Sequence, residues 1–242
     1  MHILIISDIH ANLTALEAVL ADAGEYDAVW CLGDLVGYGP DPNECIDRVR
    51  NLPELVCMLG NHDAAALGQI DVDTFNVEAR QALKWTQDVL TDSSTAFLQS
   101  LPERHVIDNV TLVHGSPRQP VWEYLLDTRT ATLNFGYFET PYCFVGHTHL
   151  PVLYYLPDES RVAKLIVPEP TMDLTLAPRA ILNPGSVGQP RDRDPQASYA
   201  LYDSDLNMWE YRRIPYDIPA VQARMAAAGL PERHIQRLTA GW

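Results

Sequence analysis

Short apolar runs, each ending in polar or charged residues, recur along this chain and fix its first reading. Ile3-Leu4-Ile5-Ile6, Ala28-Val29-Trp30-Cys31-Leu32 and Leu55-Val56-Cys57-Met58-Leu59 are apolar throughout, as strands buried on both faces require. Between the first two, Leu13, Leu16, Val19, Leu20 and Ala23 repeat at helical spacing behind Asn12, a good capping residue. Asp41-Pro42-Asn43-Glu44 then reads as a helix start, with a cap, a first-turn proline and a capping-box carboxylate. Strand, helix, strand, helix, strand implies parallel neighbours joined by right-handed crossovers.

The second half changes character. Residues 74–90 lack proline and glycine and read as a helix. Residues 105–114 read as a hairpin turning at Asp108-Asn109, and 142–145 as a further buried strand. Short strands follow at 152–156, 161–167, 180–182, 199–202 and 208–212, with turns at Asp158-Glu159 and Asp203-Ser204-Asp205. A helix over 221–228 stops at Gly229. No internal repeat, low-complexity tract or boundary-length linker appears, so residues 1–242 read as a single α/β domain. Its strands form two sheets, or one large mixed sheet, flanked by helices.

Composition narrows the function classes. The 17 Lys and Arg against 32 Asp and Glu give a net charge of −15, which argues against a broad surface for duplex nucleic acid. A phosphorylated substrate stays open, because bound divalent cations reverse a local field. Cys31, Cys45, Cys57 and Cys143 form no Cys-x-x-Cys pair and read as buried thiols of a reducing compartment. The amino terminus has no basic leader region and no run is long enough to span a bilayer, so the expectation is a soluble, cytoplasmic protein without a membrane partner.

The chemistry lies at the strand ends. Asp8, His10, Asp34, Asn61, His62, His114, His147 and His149 each follow an apolar run directly or within a few residues. Of the 8 histidines, only His2, His105 and His234 lie outside this set. Carboxylate, imidazole and amide oxygen without thiolate suit Mn, Fe, Ni, Co or Zn rather than a structural Cys-rich zinc site. The ligand candidates are too many for one ion and suit two, with Asp34 able to bridge. Such a pair activates a shared hydroxide for attack on phosphorus and neutralises the phosphoryl oxygens. His62 remains as general acid, with Asp63 as its orienter or else as a cap on the alanine-rich helix that follows. Asn12 is read as a phosphate-oxygen contact. Asn183, in Asn183-Pro184-Gly185-Ser186, is read as a substrate contact or a turn residue, and Arg191 or Arg193 as a fork onto phosphate. The aromatics of 117–140 are read as core or as a cap or subunit contact, the last implying a homodimer.

Asp8-x-His10, Gly33-Asp34, Gly60-Asn61-His62-Asp63, His114 and Gly146-His147-x-His149 resemble, in order and spacing, the motifs of the calcineurin-like metallophosphoesterases. The resemblance covers nearly the whole chain and is nearest to the small bacterial and archaeal phosphodiesterases. It implies a four-layer αββα sandwich of two mixed sheets with a dinuclear metal site at the strand ends. It also implies that Asp8, His10 and His149 hold one metal and Asn61, His114 and His147 the other, with Asp34 bridging and His62 the catalytic acid. Manganese is the first expectation for the metal pair, and a small phosphorylated molecule, nucleotides included, for the substrate. One departure is visible: the protein Ser/Thr phosphatases of this superfamily follow Gly-Asp with a phosphate-gripping arginine, and here Leu35-Val36-Gly37-Tyr38-Gly39 follows. The implied activity is hydrolysis of a phosphodiester. The alternatives are a phosphomonoesterase or protein phosphatase, and a non-catalytic metal-binding scaffold on the same fold.

Overall fold

β1 (His2–Ile6) is apolar on both faces because both faces are covered. Ile3 and Ile5 point into a core between two sheets, while Leu4 and Ile6 point toward helices. Full burial of such side chains contributes roughly 1.5–3 kcal/mol each, so this strand anchors both layers. The computed structural model describes residues 1–157 and 159–242; Asp158, half of the turn expected at Asp158-Glu159, lies outside the described residues.

The first sheet contains β1, β2 (Ala28–Cys31), β3 (Val56–Cys57), β9 (Asp173–Thr175), β11 (Ala197–Asp203) and β12 (Met208–Ile214), in the order β3-β2-β1-β11-β12-β9. β1, β2 and β3 are parallel, as the crossover pattern requires, and β11 runs antiparallel beside β1. The second sheet contains β4 (Arg104–Ile107), β5 (Val110–Val113), β6 (Tyr142–Phe144), β7 (Pro151–Tyr155), β8 (Lys164–Ile166) and β10 (Ala180–Pro184), in the order β4-β5-β6-β10-β7-β8. Here β5, β6 and β10 are parallel and the other pairs antiparallel.

Trp30, Phe144, Tyr202 and Trp209 join Ile3 and Ile5 in the inter-sheet core, with rings in tilted and edge-to-face pairs. Outside the first sheet pack α1 (Leu13–Asp22), α2 (Pro42–Val49) and α5 (Asp92–Gln99), through Leu16, Val19, Ile46 and Leu98. Outside the second lies α6 (Thr128–Asn134), whose Ala131 packs with Phe135 and Phe138 on Val113, Cys143 and Ile181. The layers are therefore helix, sheet, sheet, helix. α4 (Val77–Val89), α7 (Ile218–Ala227) and α8 (Glu232–Ala240) form a separate apolar cluster around Ala82, Val221, Met225 and Leu238.

Several boundaries differ from expectation for local reasons. α4 starts at Val77 because the Asn76 side chain accepts the Ala79 N–H at 2.9 Å, and residues 72–74 form a separate 3₁₀ turn. α7 starts earlier than 221, where Asp217 caps the Ala220 N–H. Asp41 makes no side-chain cap on α2; its carboxylate instead takes Arg224 at 2.8 and 3.0 Å. Three short helices, α5, α6 and α8, and the three-residue β9 were not foreshadowed by the apolar pattern. All four cysteines are buried free thiols.

Candidate metal centre

The carboxyl ends of the parallel strands in both sheets meet at one edge of the sandwich. Asp8 and His10 follow β1, Asp34 follows β2, and Asn61 follows β3 as the first residue of α3 (Asn61–Ala66). His114 follows β5, and His147 and His149 follow β6. Every one of these seven side chains is buried. Five of them, Asp8, His10, Asp34, His147 and His149, have positive φ, between 49° and 65°. Non-glycine residues in this region carry local strain, which clusters at functional sites. The strain turns each side chain back from its strand into the shared space. Two glycines make the turns possible: a Cβ at Gly60 would land on Asp34 Oδ1, and one at Gly146 on Ser7 Oγ.

Backbone carbonyls set the tautomers. His10 Nδ1 faces Val36 O at 3.0 Å, His114 Nδ1 faces Leu32 O at 2.8 Å, and His149 Nδ1 faces Gln189 O at 2.6 Å. His147 is turned the other way, with Nε2 against Trp122 O at 3.1 Å. A carbonyl only accepts, so each of these nitrogens carries the proton and the opposite nitrogen points inward. The inward nitrogens meet in two pairs, His10 Nε2 with His149 Nε2 at 3.1 Å and His114 Nε2 with His147 Nδ1 at 3.2 Å.

Carboxylates complete the arrangement. Asp8 Oδ2 accepts from Ser7 Oγ at 2.6 Å and from the His147 N–H at 3.0 Å, while Asp8 Oδ1 has no hydrogen-bond partner. Asp34 Oδ1 accepts the His62 N–H at 2.9 Å, and Asp34 Oδ2 is likewise bare. Asp8 Oδ1 lies 3.2 Å from His149 Nε2, and Asp34 Oδ2 lies 3.3 Å from His114 Nε2 and 3.6 Å from His10 Nε2. Asn61 Oδ1 is 3.1 Å from His114 Nε2. Two groups result, Asp8-His10-Asp34-His149 and Asp34-His114-His147, with Asp34 common to both. Asp8 Oδ1 and the inward lone pairs of His10, His147 and His149, crowded together out of water, repel unless a cation lies among them, and Asp34 Oδ2 has only the His114 imidazole to offset its charge. The donor set therefore fits divalent metal ions.

Electrostatics separates the imidazoles. Burial holds His10 and His149 well below the usual histidine range and brings His147 down to about 3. For His114 burial also disfavours the cation, but the Asp34 carboxylate outweighs it and lifts the group to about 9. Burial opposes the ionised form of Asp34, and the imidazoles, His114 foremost, still hold its carboxyl well below the usual range.

The remaining expected residues divide. His62 sits beside the centre, its ring 4.9 Å from that of His10, with Nδ1 buried and unpartnered. Burial lowers it to about 4. The expected hydrogen bond from His62 to Asp63 is not formed. Asp63 accepts the backbone N–H groups of Asp34 at 2.9 Å and of Val36 and Gly60 at 3.1 Å each, so it ties the β2 and β3 turns together. Burial, reinforced by the Asp34 carboxylate, nevertheless pushes Asp63 up to about 7. Asn12 is not free for phosphate: its Oδ1 caps α1 through Ala15 N and its Nδ2 donates to Gly188 O. Asn183 is also fully engaged, donating to Gly146 O and Thr148 Oγ1 and accepting from Gly185 N, and so it braces the His147 loop. Arg191 does reach the rim, its guanidinium 5.7 Å from the Tyr38 ring, whereas Arg193 is exposed with its backbone against Gly241.

The 117–140 segment has two roles. Phe135 and Phe138 are core, whereas Tyr124 lies 3.8 Å from the His147 ring and Trp122 lies 5.4 Å from Phe75. Phe75 in turn packs edge-on to His62 at 5.0 Å. Phe75, Trp122 and Tyr124 thus make an aromatic wall beside the centre. Tyr38 is a further site residue that pattern reading passed over, with its ring 4.4 Å from His62 and 4.6 Å from His10. Its only signal was the Gly37-Tyr38-Gly39 turn just past Asp34.

Known proteins resemble this chain in sequence and in fold. An uncharacterised protein of Methanocaldococcus jannaschii is 38% identical over 247 residues, 99% of this chain and 98% of its own length. The crystal structure of a metallophosphoesterase from Sphaerobacter thermophilus superposes with a TM-score of 0.91 at 51% identity, covering 100% of this chain and 99% of that one. A symmetrical bis(5′-nucleosyl)-tetraphosphatase of Pectobacterium carotovorum is 43% identical over 63 residues only, 24% of this chain and 22% of its own. Residues 1–207 match the model of the calcineurin-like phosphoesterase superfamily domain, a stretch that holds every ligand candidate described above. Sequence, topology and buried donor set agree, and the chain belongs to the calcineurin-like phosphoesterase superfamily.

Proposed function

We propose that residues 1–242 form one catalytic unit that hydrolyses a phosphodiester with the help of two divalent transition-metal ions, manganese foremost. The observation that carries this reading is the convergence of two bare carboxylate oxygens and two pairs of inward imidazole nitrogens, out of water, around a shared Asp34. Asp8, His10 and His149 would hold one ion, Asn61, His114 and His147 the other, with Asp34 common to both. Ions bound there lower the pKa of a water and neutralise phosphoryl oxygens.

The chain's own residues do the rest. Backbone carbonyls and Asp63 hold the ligand turns in register before substrate arrives, so little reorganisation is left for the reaction. His62 stands beside the centre, its ring 4.9 Å from that of His10, and acts as the general acid for the leaving oxygen. Burial keeps it neutral when the site is empty, and the negative charge of a bound phosphoryl group favours its protonated form. Arg191 contributes a guanidinium toward phosphoryl oxygens at the rim. The aromatic wall of Phe75, Trp122 and Tyr124 offers a surface to the second ester group that a diester has and a monoester lacks. The partial similarity to tetraphosphatases supports a nucleotide-like substrate.

The test is hydrolysis of chromogenic phosphodiester and phosphomonoester substrates by protein stripped of metal and reloaded with Mn²⁺. The diester is expected to be the better substrate, with no turnover before reloading. His62→Asn is expected to lower kcat by about 10²–10⁴-fold while elemental analysis still finds both ions. A monoester preference would overturn the diester reading, and normal turnover by His62→Asn would overturn its role as acid.

A further inference from the structure

Next to the metal centre two arginines share one neutral acceptor. Arg191 Nη2 lies 3.0 Å from Gln189 Oε1, and Arg237 Nη1 lies 3.3 Å from the same oxygen. Among the described residues neither has a carboxylate within 4.0 Å, although their neighbours Arg224 on α7 and Arg233 on α8 are each paired with one. This happens in a chain of net charge −15, where acidic partners are plentiful. Like charges converge on an uncharged oxygen only at a cost, and an anion between them removes it.

Unpartnered donors surround the pair. Gln189 Nε2, Arg191 Nε and Arg237 Nε are buried without a hydrogen-bond partner. His234, on α8, is 1% exposed, and neither of its ring nitrogens has a partner. Its ring lies 4.6 Å from that of Tyr38 in a tilted contact, and the same Tyr38 ring touches His10 and His62. Gln189 is tied to the centre directly, since its carbonyl fixes the tautomer of His149. Packing alone accounts for the tyrosine contact and the bonded amide; it does not account for two arginines on one amide oxygen with no carboxylate within 4.0 Å among the described residues.

We propose that Arg191, Arg237, Gln189 and His234 form an anion subsite beside the metal centre that holds a second phosphoryl group linked to the one being cleaved. Arg191 stands at the boundary between the two phosphoryl positions, and Arg237 and His234 serve the outer one. The substrate class is then an ester or anhydride with two linked phosphoryl groups, rather than a simple diester with one. This rests on the phosphoester-hydrolase reading above and sharpens it. The outer part of the subsite comes from α8, beyond the residues 1–207 that match the superfamily domain.

The probes are inorganic phosphate and pyrophosphate, titrated into metal-loaded protein at fixed free Mn²⁺. Binding is read by calorimetry and by inhibition of chromogenic diester hydrolysis. Wild-type protein is expected to bind pyrophosphate more tightly than phosphate by about tenfold or more, as one charge-assisted contact supplies. Arg237→Gln is expected to reduce that preference to within about threefold, with Arg237→Lys between the two. Chelation of metal in solution is common to all three proteins and cancels in the comparison, and circular dichroism checks that the variants are folded. Absence of the preference in wild type, or an equal weakening of both probes by Arg237→Gln, would overturn the subsite. The calorimetric preference needs no turnover, so an inactive protein that still prefers pyrophosphate would count against the hydrolysis reading and for the subsite.

Discussion

Metal loading of this centre should expel a proton, and the proton should come from His114. In the metal-free protein His114 Nδ1 is held by Leu32 O, and its Nε2 faces two acceptors, Asp34 Oδ2 at 3.3 Å and Asn61 Oδ1 at 3.1 Å. Asp34 lifts the group to about 9, so at pH 7 almost every molecule carries the Nε2 proton where an ion must bind. Loading should then release about one proton from His114 at pH 7 and about half of one at pH 9, because only the deprotonated ring is a ligand. Affinity at the His114 side should rise roughly tenfold, or about 1.4 kcal/mol, from pH 7 to 8 and roughly fivefold from pH 8 to 9. The sign for folding is opposite. A histidine raised above its unfolded value near 6.5 stabilises the metal-free fold fully below that pH, and this contribution is lost as pH rises toward 9. Calorimetry in buffers of different ionisation enthalpy counts the protons, and His114→Gln should release one fewer. A count at pH 7 unchanged by that substitution, or one that does not fall between pH 7 and 9, would refute the reasoning.

Two further outcomes follow from the same geometry. Asp34→Asn removes the only charge common to both ligand groups, so elemental analysis after loading should find one ion per chain or none; two retained ions would show that Asp34 does not bridge. Asp63→Asn replaces one of the two carboxylate oxygens by an NH₂, which then faces at least one of the three backbone N–H groups across the β2 and β3 turns. The cost should be about 2 kcal/mol, or roughly 4–8 °C in the melting temperature of a domain this size, and a shift under about 1 °C would contradict the bracing role.

The strand ends were legible because β1, β2, β5 and β6 are buried on both faces. A continuous apolar run that stops at Asp or His marks both a strand and its exit, so the ligand candidates could be read together. What escaped was whatever depends on partners remote in sequence. Asn12 and Asn183 have the right chemistry for phosphate, but Gly188 and Gly146 engage their amides, and no local pattern announces that. Asp63 follows His62 directly, yet the helix starts at Asn61 and turns the Asp63 carboxylate toward the β2 exit instead. α8 has few apolar residues, with Ile235 and Leu238 buried on one side of a charged segment, so the reading stopped at Gly229, set His234 aside and gave Arg237 no role.

The five left-handed positions among the candidate ligands answer to two demands at once. Coordination asks for aspartate or histidine, and the backbone at Asp8, His10, Asp34, His147 and His149 asks for residues that tolerate positive φ, chiefly glycine, asparagine, aspartate and histidine. The two alphabets overlap narrowly. If selection for metal lapsed, the easy replacements would be asparagine and glycine, which keep the turns and discard the chemistry. A descendant of this chain can therefore lose its reaction while keeping its shape, and its history would be written as asparagine or glycine where this one has aspartate and histidine.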